Sequence, residues 1–281
     1  MWLILSLASV LIFTAVNLLM RVLAVKSKNP RTFSVVFNSW GALFAILLFV
    51  AELPNLTLPT SLPTNHLFFI VLAIVSYGLY ERSHFTARKH IDSSTITILF
   101  RLAPLIAFIG SLLFFKERLS VMQLFGAGAL ISSAALVIHK NPHLKMGRPL
   151  LIALFSALML GVAWMLDKPG SQGLPASLYS FIMWVAPVGI IAFPSVSLKQ
   201  LRREVIIGGW KVVLLAFLNV FGYFIYLKAL SLEEAIKIIP ITSSTGTLTV
   251  LAGIFLLNEK TFIKRKLIAG ALMFVGILLL S

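Results

Sequence analysis

Apolar residues run along this chain in long stretches that are interrupted at polar and Pro- or Gly-bearing segments. A helix needs roughly 20 apolar residues to cross the hydrocarbon of a bilayer. The breaks divide the sequence into ten stretches of about that length, at 2–22, 32–52, 66–87, 92–114, 119–139, 148–166, 176–195, 209–230, 234–257 and 263–281. The segments between them, SKNP, ELPNLTLPTSLPTN, KERLS, HKNPHLKMGRP and SLKQLRREV among others, leave no room for a soluble domain. The expected fold class is therefore an all-α integral membrane protein with ten transmembrane helices. The first stretch lacks the basic segment that opens a signal peptide and nine further spans follow it, so it is expected to be retained.

The pattern repeats. Shifting the sequence by 142 places KERLSVMQLFGAGAL (116–130) over NEKTFIKRKLIAGAL (258–272), so that Glu117 meets Glu259 and Ala127-Gly128-Ala129-Leu130 meets Ala269-Gly270-Ala271-Leu272. Looser matches at slightly larger offsets pair Trp40 with Trp184 and Arg21 with Lys168. Two halves follow, 1–142 and 143–281, each with five spans. An odd number of spans turns the second copy upside down relative to the first, and basic residues should then swap sides between equivalent connections. They do: the first connection carries four and its counterpart DKPGSQGLP one, whereas the second carries none and SLKQLRREV three. Inverted five-helix repeats are an architecture that secondary transporters use around a central site.

Composition agrees with a membrane class. Hydrophobic residues make up 59% of the 281 positions, charged residues only 12%, and Phe occurs 22 times. The mean hydropathy is +1.00, far from soluble domains. Cysteine is absent, which excludes disulfides, thiolate metal sites and Cys nucleophiles. The net charge of +15 would suggest nucleic acid in a soluble protein. Here it reads as topology, and no nucleic-acid partner is expected. Eighteen of the 24 Lys and Arg residues belong to the first, third, fifth, seventh and ninth connections. The positive-inside rule places those connections in the cytoplasm and both termini outside, in a membrane expected to be a prokaryotic cytoplasmic one.

Several local features converge on a known family. A Glu-[Arg/Lys] turn joins the last two spans of each half (Glu117-Arg118, Glu259-Lys260), and a Gly follows each Glu by eleven residues (Gly128, Gly270). The eighth span ends in Tyr226-x-x-Ala229-Leu230. As a set these resemble the EamA-type branch of the drug/metabolite transporter superfamily, over essentially the whole chain. The resemblance implies metabolite efflux or exchange, with a pathway lined by the first, third and fourth spans of each half. Such proteins usually have cytoplasmic termini, the reverse of what the charge count gives here.

Ionisable residues inside a span are expensive and point to function. Tyr77, Glu81 and His84 fall at i, i+4 and i+7, one helical face, and the 142-residue shift maps them onto Asn219, Tyr223 and Tyr226 of the eighth span. Matching polar stripes on equivalent helices suit a shared aqueous cavity. On this reading Arg88, Lys89 and His90 form the cytoplasmic stop, and Arg82 snorkels. Arg101 sits in TITILFRLAPLIAFIG with Pro104 one turn later. Its guanidinium needs a carboxylate, a carbonyl cluster or an anionic substrate, and an Arg101 to Glu81 ion pair is one way to provide it. Ser243, its equivalent, lies in the hydroxyl-rich PITSSTGTLT, which suits substrate contacts or close helix approach. Asn17 and Trp164 match across halves and are candidates to line the cavity. Glu117 and Glu259, at span ends, suit helix capping, and the Gly126-Ala127-Gly128 stretch suits close packing.

The motifs of ATP-driven transport, zinc proteases and serine hydrolases are missing, and no cofactor is implied. The sequence therefore predicts a secondary transporter, not an enzyme, acting as a monomer or homodimer surrounded by membrane lipid. A zwitterion such as an amino acid would satisfy Glu81 and Arg101 together, and Glu81 is a candidate for proton coupling. The alternatives are an organic-anion or phosphate-ester exchanger using Arg101 with Lys228 or Lys237, and a non-transporting scaffold.

Overall fold

A computed structural model describes residues 1–55, 64–115, 120–139, 147–171, 174–230, 232 and 235–280. Among the described residues every long element is a helix, in the order α1 Trp2–Lys26, α2 Pro30–Glu52, α3 Thr64–His90, α4 Ser93–Phe100, α5 Leu102–Phe115, α6 Val121–Ile138, α7 Arg148–Ser171, α8 Ala176–Val185, α9 Pro187–Ala192, α10 Leu198–Leu230, α11 Ala235–Leu256 and α12 Ile263–Leu280. Among the described residues six segments are long and apolar enough to cross a membrane, within α1, α2, the α4–α5 pair, α6, α7 and α10, and shorter apolar helices lie at 177–192 and 244–256.

Local chemistry accounts for the ends. Asn29 caps α2, its side chain accepting from Thr32 N at 3.2 Å with Pro30 at the first helical position, where a missing N–H costs nothing. Ser120 and Gln123 form a reciprocal capping box at the start of α6. The predicted fourth span is broken at Arg101, whose N–H reaches back only to Ile98 O at 3.2 Å. Pro104 has no N–H to offer Phe100, so the helix ladder is interrupted one turn after the break begins. The seventh span is likewise split, at Ala186 ahead of Pro187.

Two apolar clusters hold the helices together. One joins α4, α6, α7, α11 and α12 around Ile98, Leu99, Leu130, Leu150, Ala153 and Met273. The other joins α1, α2, α3 and α10 around Leu23, Phe33, Phe37, Phe85 and Leu215, with Phe85 edge-on to Phe33 and Phe37 at 5.0 and 5.4 Å between ring centroids. The main packing partners are α3 with α7, α6 with α12, α1 with α10, α2 with α10, α5 with α7, α1 with α11, α11 with α12 and α2 with α8. At the α6–α12 seam Gly126 and Gly276 bring backbones together, since a Cβ on Gly126 would stand 2.8 Å from Gly276 O. Gly128, by contrast, has open space around its would-be Cβ, so the close-packing expectation holds for only one of that pair.

The structure corrects the connection boundaries at the end of α7, which continues to Ser171, and at the start of α10. SLKQLRREV, read as a connection, is helical and forms the first part of α10, which changes direction at Gly209 with φ 50° and ψ −145°. The Glu117-Arg118 turn lies outside the described residues.

Candidate functional site

α3 supplies the spine of the polar interior. Tyr77, Glu81, His84 and Arg88 continue one face of the helix at i, i+4, i+7 and i+11, and neighbouring helices meet them with polar groups. Glu81 Oε2 accepts from Asn38 Nδ2 of α2 at 2.8 Å and lies 2.9 Å from His84 Nε2. The Ser34 hydroxyl donates to the Glu81 carbonyl, and Asn38 Nδ2 reaches the Ser34 carbonyl at 2.9 Å. His84 is fully buried, stacked on Tyr80 with ring centroids 4.8 Å apart. About three helical turns are thus threaded by titratable groups, about 16 Å from Tyr77 to Arg88 at 1.5 Å per residue.

Towards the N-terminal end of α3, Tyr77 Oη donates to Asp167 Oδ2 of α7 at 2.6 Å, and Tyr179 Oη of α8 donates to the other carboxylate oxygen at 2.6 Å. A single carboxylate therefore ties three helices through two phenols. Tyr223 of α10 lies within electrostatic range of both Tyr77 and Asp167, and Asn219 and Tyr226, one turn to either side of it, are half-buried. All five tyrosines of the chain, Tyr77, Tyr80, Tyr179, Tyr223 and Tyr226, belong to this interior. Trp164 is 41% exposed, yet Leu151, Phe155 and Leu158, the exposed apolar residues of α7, stand about 120 to 180° away from it around the helix. It stands on the side of α7 that carries Ala157, Leu160 and Gly161.

At the other end of the α3 stripe, the expectation that Arg88 belongs to the solvated stop is overturned. Arg88 is 3% exposed, donates to Asn17 Oδ1 of α1 at 3.0 Å and holds its guanidinium 5.3 Å over the Phe100 ring. The reason is register: Arg88 is one turn beyond His84 on the inward face. Lys89 donates to the Ser27 carbonyl at 2.8 Å and His90 is exposed, so the stop begins one residue later. Arg82 is half-buried, and its guanidinium donates to the exposed Phe193 carbonyl just past α9.

Arg101 stands at the break between α4 and α5. Its side chain rests against Gly246 of α11, where a Cβ would stand 2.9 Å from Nε and Nη2. Among the described residues the guanidinium has no hydrogen-bond or ion-pair partner, and the direct pair with Glu81 is not made. Helix register gives its depth. Ser83 touches Ser156 of α7 at 2.7 Å between hydroxyls, and Gly161 of α7 abuts Ala103 and Ile106. Counting along α7 from those two points puts Glu81 and Arg101 at about the same level, within one turn. Ser243 lies in α11, one turn before Gly246, but its side chain is outside the described set, as is that of Lys237. Lys228 is exposed.

Beside the break, Glu259 performs the capping expected of it, across the halves. Its Oε1 accepts from Ser93 N at 2.6 Å and its Oε2 from Ser94 N at 2.8 Å and from the Ser94 hydroxyl. The positive end of the α4 dipole is thereby met by a buried carboxylate. Asp92, next to it, pairs with Lys266 at 2.9 Å.

Sequence reasoning missed Asp167, Tyr179, Asn38 and the inward role of Arg88. Asp167 precedes Lys168-Pro169-Gly170 and so reads as a loop residue, whereas α7 continues to Ser171 with Pro169 inside it. Asn38 had a legible signal, since it is a lone amide in an apolar span and Ser34 lies one turn before it.

These features define a helical membrane protein whose polar interior draws on both halves of the chain. The model of the EamA-like transporter family matches residues 1–139 and again residues 147–281, and the chain belongs to that family of membrane transporters. No curated protein matches the chain. Nineteen solved chains do. One crystal structure aligns with a TM-score of 0.60 at 15% identity, covering 99% of this chain and 95% of its own, a likeness of fold.

Proposed function

We propose that this chain is a secondary transporter that moves a small polar metabolite with an anionic group, an amino acid or a related zwitterion, by alternating access. The observation that carries the reading is Arg101. A guanidinium at the depth of the membrane interior is costly without a counter-charge, and the described residues supply none, which suits a site where the substrate provides it. Its planar fork matches a carboxylate. Glu81, at the same level but already engaged by Asn38 and His84, is the group for the substrate's cationic end and for proton coupling.

The broken span that presents Arg101 to α11 fits the use of discontinuous helices at transporter sites. The reading takes ten spans in two inverted repeats, 1–142 and 143–281. What supports it is the pairing of helices: exchanging α3 with α10, α7 with α1 and α5 with α11 carries the α3–α7 and α5–α7 contacts into the α10–α1 and α11–α1 contacts.

The test is uptake into proteoliposomes of amino acids, organic anions and organic cations, with and without a pH gradient. Arg101→Gln is expected to weaken transport of the preferred carboxylate at least about tenfold, the loss of one charge-assisted contact. Glu81→Gln is expected to abolish the response to the pH gradient. Phosphate esters or dicarboxylates transported in preference to amino acids would move the substrate to the anion class, and unchanged transport in both variants would remove the site altogether.

A further inference from the structure

The first eleven residues of α10, 198–208, form an arm that departs from the rest of the helix at Gly209. Its only carboxylate is turned inward: Glu204 is 1% exposed and accepts from Lys28 N at 3.0 Å and Asn29 N at 2.7 Å. The acid thus anchors the arm to the α1–α2 connection and is spent on backbone N–H groups. On the outer side Lys199, Arg202 and Arg203 are exposed and have no hydrogen bond or ion pair among the described residues. The same side is also greasy, with Leu198 83% and Ile206 69% exposed.

The order of these residues matters. An open surface groove along this one arm, of about 560 Å³, is bounded by Leu198, Lys199, Arg202, Arg203, Ile206 and Ile207. The three cations occupy its first two turns and the isoleucines its third, next to Trp210, which is 68% exposed. Beyond Leu198, the lining changes from cationic to aliphatic towards the membrane-spanning part of α10, with Trp210 just past Gly209. A phospholipid likewise presents a charged phosphate followed by apolar chain. Basic amphipathic segments at the interface bind anionic lipid through both parts.

We propose that this arm is a binding site for an anionic phospholipid, with the phosphate between Lys199, Arg202 and Arg203 and an acyl chain along Ile206, Ile207 and Trp210. The site is independent of the substrate pathway and of which substrate is carried. It selects lipid over free phosphate because one end of the groove is apolar.

The test is native mass spectrometry of the full chain released from detergent, titrated with phosphatidylglycerol or phosphatidylcholine. The parent is expected to retain phosphatidylglycerol in preference. At roughly fivefold per basic residue at a membrane surface, Arg202→Gln with Arg203→Gln is expected to weaken that binding about 25-fold. Lys260→Gln with Lys264→Gln removes the same charge from another exposed stretch and is expected to change it less than about twofold. Millimolar inorganic phosphate is expected to displace nothing. Melting in lipid-free detergent checks the fold of each variant, and Lys199→Gln with Arg203→Gln is a second pair with the same expected loss. Equal binding of the two lipids, unchanged binding in the Arg pair, an equal loss in the Lys260/Lys264 pair, or displacement by phosphate would each overturn the proposal.

Discussion

Glu259 illustrates how much one buried carboxylate can organise. It is 9% exposed and satisfies three donors at the start of α4, while Gly253 leaves it room, since a Cβ there would stand 2.8 Å from Oε2. Replacing it by Ala strands two backbone N–H groups and a hydroxyl in a dry setting, and a charge-assisted bond of this kind carries about 2 kcal/mol. Glu259→Ala is therefore expected to lower stability by about 2 kcal/mol or more, read as an earlier unfolding midpoint in mixed-micelle denaturation, with Glu259→Gln intermediate. A midpoint equal to the parent's would contradict the capping role. The capping function was legible in the sequence because a Glu at a span end with a basic neighbour has few other uses. The partner was not legible, because Ser93 and Ser94 lie 165 or more residues away in the chain. Asp167 failed for a different reason. Its neighbours Lys168, Pro169 and Gly170 have strong local preferences for a turn, and tertiary packing of α7 overrides them. Arg88 failed because its charge outweighed its register.

At the scale of elements, the apolar pattern locates helices well and their interruptions unevenly. Arg101 and Pro104 mark the α4–α5 break in the sequence, and the helix does break there. The arm at the start of α10 was hidden because its composition is charged, although Leu198, Leu201 and Val205 recur at helical spacing and Leu, Lys, Gln, Arg and Glu are all good helix formers. Gly209 makes the arm possible. Its φ of 50° with ψ −145° is a region essentially closed to residues with a Cβ. A methyl group there would meet nothing within 4 Å, so the penalty of Gly209→Ala is backbone strain alone, about 1–3 kcal/mol. Gly189 in α9 is the control: it too has open space, but not a positive φ, and Gly189→Ala is expected to be neutral or slightly stabilising. Thermal melting of the two variants in detergent distinguishes strain from crowding. Equal midpoints would mean that the turn at Gly209 does not need glycine.

Across the whole molecule the charges sort to one end. Glu204 reaches the α1–α2 connection, Lys89 reaches Ser27, Lys266 reaches Asp92, and Arg265 donates to the His139 carbonyl at 2.6 Å. Among the described residues the first, third, seventh and ninth connections and His139 therefore meet at one face, and in the sequence these odd-numbered connections, with the fifth, hold eighteen of the 24 basic residues. Its acids, Asp92, Glu204 and Glu259, are already committed to pairs and caps, so the excess positive charge is left for the solvent and the lipid surface. Such an excess belongs on the cytoplasmic side, which fixes an expected orientation with both termini outside. The absence of cysteine makes this directly measurable. His90, exposed at the basic end of α3, and Leu53, 41% exposed beyond the end of α2, are separated by α3 alone. In intact cells a membrane-impermeant maleimide is expected to label Leu53→Cys and to spare His90→Cys until the membrane is permeabilised. Labelling of both from the same side would mean that α3 does not cross. The opposite pattern, with His90→Cys labelled first, would mean that the charge asymmetry is overridden, and the substrate pathway would then have to be read in reverse.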